Sequence, residues 1–192
     1  MSETKNLLER LQSFPKTYFS FNDILKFYPG KENVLKVLLS RLVEQKRIIR
    51  LTKGYYSLNL SDVNFDALAC QMLRPSYISF EYALWRYGLI NEIPARITLA
   101  TTKKTRVYTL YNNTFEYSHL NQKLFFGYAI DGEILIAKKE KALLDEIYLI
   151  SLKRRSLNLR KIDFSMLEKN ILLKWMKNYP LFTQRIVKNL IK

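Results

Sequence analysis

An α+β fold in two parts is what the sequence predicts, on three observations. The first sixty residues repeat apolar positions at helical spacing three times and then alternate around a glycine turn. From Arg96 to Ala137 the period changes to alternation, broken by short turn signals. Beyond Lys138 helical spacing returns and lysines accumulate. The chain has 192 residues, 48% of them hydrophobic, enough for one or two small domains with a real core.

The elements follow in order. Thr4–Gln12 spaces Leu7, Leu8 and Leu11 helically, with Phe14 closing the stripe and Pro15 stopping it. Ser20 before Phe21, Asn22 and Asp23 is a capping signal for a second, short helix that ends at Pro29-Gly30. A third helix spans about Glu32–Gln45. On a wheel, Val34, Leu35, Leu38, Leu39 and Leu42 share one side, while Asn33, Lys36, Val37 and Ser40 project from the other with Arg41 at the margin. Arg47–Leu58 alternates around Thr52-Lys53-Gly54 and reads as a β-hairpin whose tip carries Arg47, Arg50 and Lys53. Helix, helix, turn, helix and hairpin is the winged helix-turn-helix plan. Its third helix fits the DNA major groove, and its wing brings cations to phosphates. Winged helices also dock proteins, and an outer lysine is often simply solvated.

After the polar stretch Ser61–Asn64, a helix is expected over Phe65–Leu73, with Leu68, Ala69 and Met72 buried, broken at Arg74-Pro75. Tyr77-Ile78 is short and extended, and Ser79 caps a helix that stops at Gly88. Ile97–Ala100, Val107–Leu110 and Thr114–Tyr117 read as strands, with Asn112-Asn113 as a turn. Leu124–Ile130 and Glu133–Ala137 form a second hairpin around Asp131-Gly132. Lys139–Ser151 is helical, with Ala142, Leu143, Ile147 and Leu149 available for packing. Residues 152–192 read as a helical tail, with Leu167, Ile171 and Trp175 on one stripe and Pro180 before a last helix at about Phe182–Ile191. The expected organisation is a winged helix over 1–60, then over 61–192 a mixed α/β domain with a small antiparallel sheet and a basic helical tail from about 152.

Composition narrows the function. The formal net charge is +15, which favours polyanionic partners. Residues 1–60 carry 11 basic and 5 acidic groups, 61–137 carry 7 of each, and 138–192 carry 14 and 5, so the excess lies at the two ends. Solubility alone also explains surplus lysine in the tail. No apolar run reaches the ~20 residues that span a bilayer, and no signal-peptide core is present, so no membrane partner and a cytoplasmic location are expected. Five glycines include no phosphate-binding loop, and one cysteine excludes a disulfide framework. No cofactor or metal is expected.

No catalytic constellation is visible. Glu140 and Asp145 lie about 140° apart on their helix and do not converge. Glu140 reads as a favourable charge at the helix start, and Lys141 with Asp145 as a surface i,i+4 pair. Cys70 reads as a small buried hydrophobe, and the lone His119 as structural. Tyr77, Tyr82 and Tyr87 read either as a stacking surface for single-stranded nucleic acid or as core with hydroxyls at the rim.

Four stretches carry a family resemblance over nearly the whole chain: Gly54-Tyr-Tyr-Ser-Leu58, Pro75-Ser-Tyr-Ile-Ser-Phe-Glu-Tyr-Ala-Leu-Trp-Arg-Tyr-Gly-Leu89, Ile97-Thr-Leu-Ala-Thr-Thr102 and Ala137-Lys-Lys-Glu-Lys-Ala-Leu-Leu-Asp145. In this order they resemble the AbiEi family, the antitoxin and regulator of AbiE (type IV) toxin–antitoxin and phage abortive-infection systems. Tyr82 stands where that family often has Ser, Tyr87 where it often has His, and Lys139 where it usually has Pro. The resemblance implies a winged helix that binds operator repeats and represses its own operon. It also implies a C-terminal domain that neutralises a nucleotidyltransferase-like toxin without a stable complex. On this reading Asn33, Lys36, Val37, Ser40 and Arg41 form the reading helix, and Arg47, Arg50 and Lys53 supply the sequence-independent charge. The alternative is a winged-helix interaction module that binds a toxin protein or RNA through its basic C-terminal region.

Overall fold

The computed structural model describes residues 2–14 and 16–191, the side chains of residues 2–4 excepted. Pro15, expected to stop the first helix, lies outside them. Among the described residues eight α-helices and nine strands make a mixed α/β architecture. The chain divides into two compact units between Leu68 and Ala69.

In the first unit, α1 (Ser2–Gln12), α2 (Phe21–Phe27) and α3 (Glu32–Glu44) accompany a three-stranded antiparallel sheet. Its strands are β1 (Phe19–Ser20), β2 (Ile49–Thr52) and β3 (Tyr55–Ser57), in the order β1-β3-β2. The capping signal before α2 is realised in full: Asp23 N donates to Ser20 Oγ at 3.0 Å, and Ser20 N donates back to Asp23 Oδ2 at 3.1 Å. The core joins Leu7, Leu8 and Leu11 of α1 to Ile24, to Leu35, Leu39 and Leu42 of α3, and to Phe19 and Ile48. Phe19 fills that core from β1, a two-residue strand too short for any periodicity to announce. Val34 is corrected by the structure. It is 51% exposed, because the buried stripe of α3 centres on Leu35, Leu39 and Leu42 and leaves Val34 beyond its edge.

In the second unit, a six-stranded sheet has the order β6-β7-β5-β4-β9-β8. The strands are β4 (Ser76–Ile78), β5 (Ile97–Thr101), β6 (Arg106–Leu110), β7 (Asn113–His119), β8 (Tyr128–Asp131) and β9 (Ile134–Ala137). The small antiparallel sheet expected from sequence is therefore a mixed one. β4 runs parallel to β9, with Ile78 opposite Ile136, and β5 runs parallel to β7 over five residue pairs. Parallel neighbours need no tight turn between them, so they leave no local signature. Two turns shift by one residue. Leu110 pairs with Asn113, so Tyr111 and Asn112 make the first turn and Tyr111 holds the positive φ, at 52°. Asp131 pairs with Ile134, so Gly132-Glu133 makes the second. Leu124 belongs to a single 3-10 turn over Gln122–Leu124 rather than to a strand.

The helices are α4 (Phe65–Met72), which holds the division between the units, then α5 (Phe80–Arg86), α6 (Lys139–Ser151), α7 (Lys169–Met176) and α8 (Leu181–Leu190). α6 packs against α5, α7 and α8 and is buried on nearly every side from Glu140 to Ile147. In the tail, Leu172 and Met176 are the buried side chains of α7, while Leu167, Ile171 and Trp175 are only half-buried. Two 3-10 turns, Leu159–Lys161 and Phe164–Met166, precede α7, so Leu167 lies outside the helix.

Candidate nucleic-acid interface

The outward side of α3 is built by the same register that buries Leu35, Leu39 and Leu42. Asn33, Val34, Lys36, Val37, Ser40 and Arg41 are all exposed. Val37 is also 51% exposed, so two β-branched apolar side chains sit in water on an otherwise polar face. Lys36 differs from its neighbours. Its Nζ lies 2.6 Å from Glu32 Oε1 and 5.7 Å from the centre of the Phe21 ring, which draws it toward its own unit.

The hairpin distributes its charges along its length. Lys53 sits in the turn beside Gly54, whose φ of 77° suits a residue without Cβ. Gly54 O also accepts from Phe21 N at 2.7 Å, which ties the turn to the start of α2. Arg50 lies mid-strand opposite Tyr56, at an irregularity that separates it from Thr52. Arg47 precedes β2 and lines a cleft of about 400 Å³ with Lys5, Leu8, Glu9 and Gln12 of α1 and with Leu58. So the tip expected to hold all three cations holds Lys53 alone, because β2 begins at Ile49 and only the turn residues reach the end. All three cations remain exposed.

The second unit contains a polar centre that sequence reasoning placed on the surface. Lys141 and Asp145 pair one turn apart on α6 with no side-chain exposure at all. Asp145 Oδ2 accepts from Ser79 Oγ at 2.8 Å and from Tyr77 Oη at 3.0 Å, and Oδ1 accepts from Tyr179 Oη at 2.7 Å. Lys141 Nζ donates to Asp145 and, at 2.8 Å, to Tyr179 Oη, and lies 5.0–5.5 Å from the ring centres of Phe126, Tyr179 and Tyr77. Burial pushes the Lys141 ammonium below the usual lysine range, and the facing carboxylate pulls it back part of the way. Burial, reinforced by Asp145, holds the Tyr77 and Tyr179 phenols far above theirs. Gly127, with φ at 70°, lets its backbone lie against this lysine: a Cβ there would stand 3.2 Å from the Trp175 ring and 3.3 Å from the Lys141 stem.

Tyr77 is core, one of the two places expected for it, but its hydroxyl reaches the buried Asp145 rather than the rim. Ser79 precedes α5 without a side-chain cap bond, because its hydroxyl is committed to Asp145. Glu140 is 5% exposed, and its Oε1 accepts from Glu168 N at 2.9 Å, steadying the entry to α7 as well as opening α6. Beside this centre Arg155, unnoticed in the sequence, meets carboxylates from three distant segments: Glu116 at 2.6 Å, Glu146 at 3.5 Å and Glu81 at 3.6 Å. Glu146 Oε1 and Arg155 Nε are buried without a hydrogen-bond partner. Burial raises the Glu146 carboxyl to about 7 despite the arginine, with Glu81 adding to the rise.

The stretches 75–89, 97–102 and 137–145 meet at this centre. Ser79 and Tyr77 come from the first and Lys141 and Asp145 from the third. Thr98, from the second, donates to Ser79 O at 2.7 Å. Cys70 is buried with Sγ 3.5 Å from Leu135 O, and His119 Nδ1 lies 3.0 Å from Lys103 O. Among the described residues no group of three His, Cys, Asp or Glu is placed to hold a metal ion, and no helix is long and apolar enough to cross a membrane.

Neither a family model nor a curated protein matches the sequence. Among solved structures, the chain is similar to the crystal structure of the RV2827C protein from Mycobacterium tuberculosis, with a TM-score of 0.64 and 10% identity. The match covers 99% of this chain and 76% of that one. At that identity the likeness is one of fold.

Proposed function

We propose that residues 1–60 form a winged helix that binds double-stranded DNA, and that the chain is a repressor of its own operon and the antitoxin of an AbiE-like type IV system. The observation that carries the DNA reading is the outward side of α3, where Asn33, Val37, Ser40 and Arg41 stand exposed beside a hairpin bearing Arg50 and Lys53. A helix of this diameter fits a major groove, Asn suits an adenine edge, and Arg suits guanine or phosphate. Arg47, Arg50 and Lys53 add the counterion-release term that every duplex shares.

The antitoxin part rests on the resemblance of 75–89, 97–102 and 137–145 to the AbiEi family. The convergence of those stretches on Lys141 and Asp145 supports it, since it gives their residue types a common structural reason. The proposed activity is binding rather than turnover. The functional partner is a nucleotidyltransferase-like toxin, with no stable complex required. A gel shift with the full chain and the DNA upstream of its own gene tests the reading. Retention there, outcompeted by that DNA and not by unrelated duplex, is the expected result. No retention of any duplex in dilute buffer would overturn it.

A further inference from the structure

The two exposed valines of α3 call for a reason. Val34 and Val37 are each 51% exposed, three residues apart on one side of the helix, and flanked by Asn33, Ser40 and Arg41. Solubility favours polar residues at such positions, and β-branched side chains are mediocre helix formers there. Two side chains are far too little for a protein interface, which engages about 20 residues on each side. The surroundings are cationic, with 11 basic groups against 5 acidic in residues 1–60, so the complementary partner is an anion that also presents small apolar groups. In a DNA major groove one such group exists, the 5-methyl of thymine.

We infer that Val34 and Val37 read thymine methyl groups, and that they make the target of this helix a thymine-containing, A·T-rich half-site. The inference rests on the duplex reading above and specifies its sequence class. The spacing agrees. Three residues of α-helix advance about 4.5 Å, between one and two base-pair steps of ~3.4 Å, so the contacted thymines lie within about three base pairs of each other. Asn33, one turn before Val37, adds the side chain that pairs with adenine, which selects the same kind of base pair through its other base.

The test uses the full chain and a 20-base-pair duplex enriched from a random pool by binding to it. That duplex is synthesised once with thymine and once with uracil throughout, which deletes the methyl groups and keeps every hydrogen-bonding edge. Fluorescence anisotropy at fixed salt gives the two affinities for the wild type and for Val34→Ala/Val37→Ala. Both positions are half in water and Ala is the better helix former, so the variant keeps its fold. The wild type is expected to bind the uracil duplex about fourfold more weakly per contacted methyl, about fifteenfold for two. The variant should discriminate between the duplexes far less than the wild type, with an unchanged dependence on salt. A wild type that enriches a sequence yet binds both duplexes equally would overturn the inference and leave the DNA reading standing. So would a variant that discriminates as well as the wild type. If no duplex is enriched or bound at low salt, the DNA reading fails first and this one with it.

Discussion

Removing the charge of Lys141 should cost less than removing that of Asp145, and removing both should cost less than removing Asp145 alone. Lys141→Met keeps the length and volume of the side chain, and the Met stem still fits among Tyr77, Phe126 and Tyr179. It leaves a carboxylate that still accepts from three hydroxyls, those of Tyr77, Ser79 and Tyr179. Asp145→Asn leaves an ammonium with no exposure, one phenol oxygen and three ring faces. Breaking a buried pair costs about 3–5 kcal/mol, and these residues should fall at the lower and upper ends respectively. With a slope of roughly 2 kcal/mol/M, the urea midpoint falls by about 1.5 M for Lys141→Met and about 2.5 M for Asp145→Asn. In Lys141→Met/Asp145→Asn no buried charge is left, and the Asn amide still meets the hydroxyls, so adding Lys141→Met to Asp145→Asn should recover about 2 kcal/mol. The assay is urea unfolding followed by tryptophan fluorescence. Trp85 and Trp175 are the chain's two tryptophans, and both lie in the second unit. A double variant as unstable as the sum of the single ones would refute the reasoning, as would a Lys141→Met variant weaker than Asp145→Asn.

Two further outcomes are expected. The Glu146 carboxyl, raised to about 7 in the folded chain, gives stability that is complete below its unfolded value near 4.5 and lost as pH rises through 7. Glu146→Gln should therefore gain about 2–3 kcal/mol on the wild type between pH 5 and pH 8 in urea unfolding, and a constant difference across that range would contradict the raised value. At the proposed DNA surface, Lys53→Ala and Arg50→Ala should each shallow the slope of log affinity against log salt by about one. Lys36→Ala should shallow it by less, because Glu32 already neutralises that ammonium in the free protein. Equal losses at Lys36 and Lys53 in a salt titration would show that the Glu32 pair opens on binding.

Local chemistry was legible in the sequence, and long-range pairing was not. Ser20 with Asp23 announced α2, and the alternation around Gly54 announced the β2–β3 hairpin, because each signal needs only adjacent residues. The extent of α6 was readable for the same reason. The parallel pairings of β4 with β9 and β5 with β7 join segments with no turn between them, so a wholly antiparallel sheet was the natural but mistaken inference. Lys141 and Asp145 look exposed in the sequence because charged residues usually are. A signal was present: Ala142, Leu143, Leu144 and Ile147 surround α6 with apolar groups on more than one side, the mark of a central helix. Of the expected interface residues, those on α3 share one exposed side, while Arg47 stands apart by the α1 cleft. Val34 looks buried in the sequence because it borders the apolar stripe, about 100° round the helix from Leu35, at the centre of the side that is buried.

The parallel register of β4 and β9 bears on how the chain is made. Ile78 meets Ile136 only after the intervening sequence exists, whereas the contacts of the first unit are all present once Leu68 has left the ribosome. At ~5–20 residues per second, synthesis from Ile78 to Ile136 leaves β4 without its β9 neighbour for on the order of 3 to 12 s. During that interval β4 presents an unzipped edge. The apolar stretch around Tyr77 and Ile78 is then a part of the growing polypeptide that a chaperone would cover.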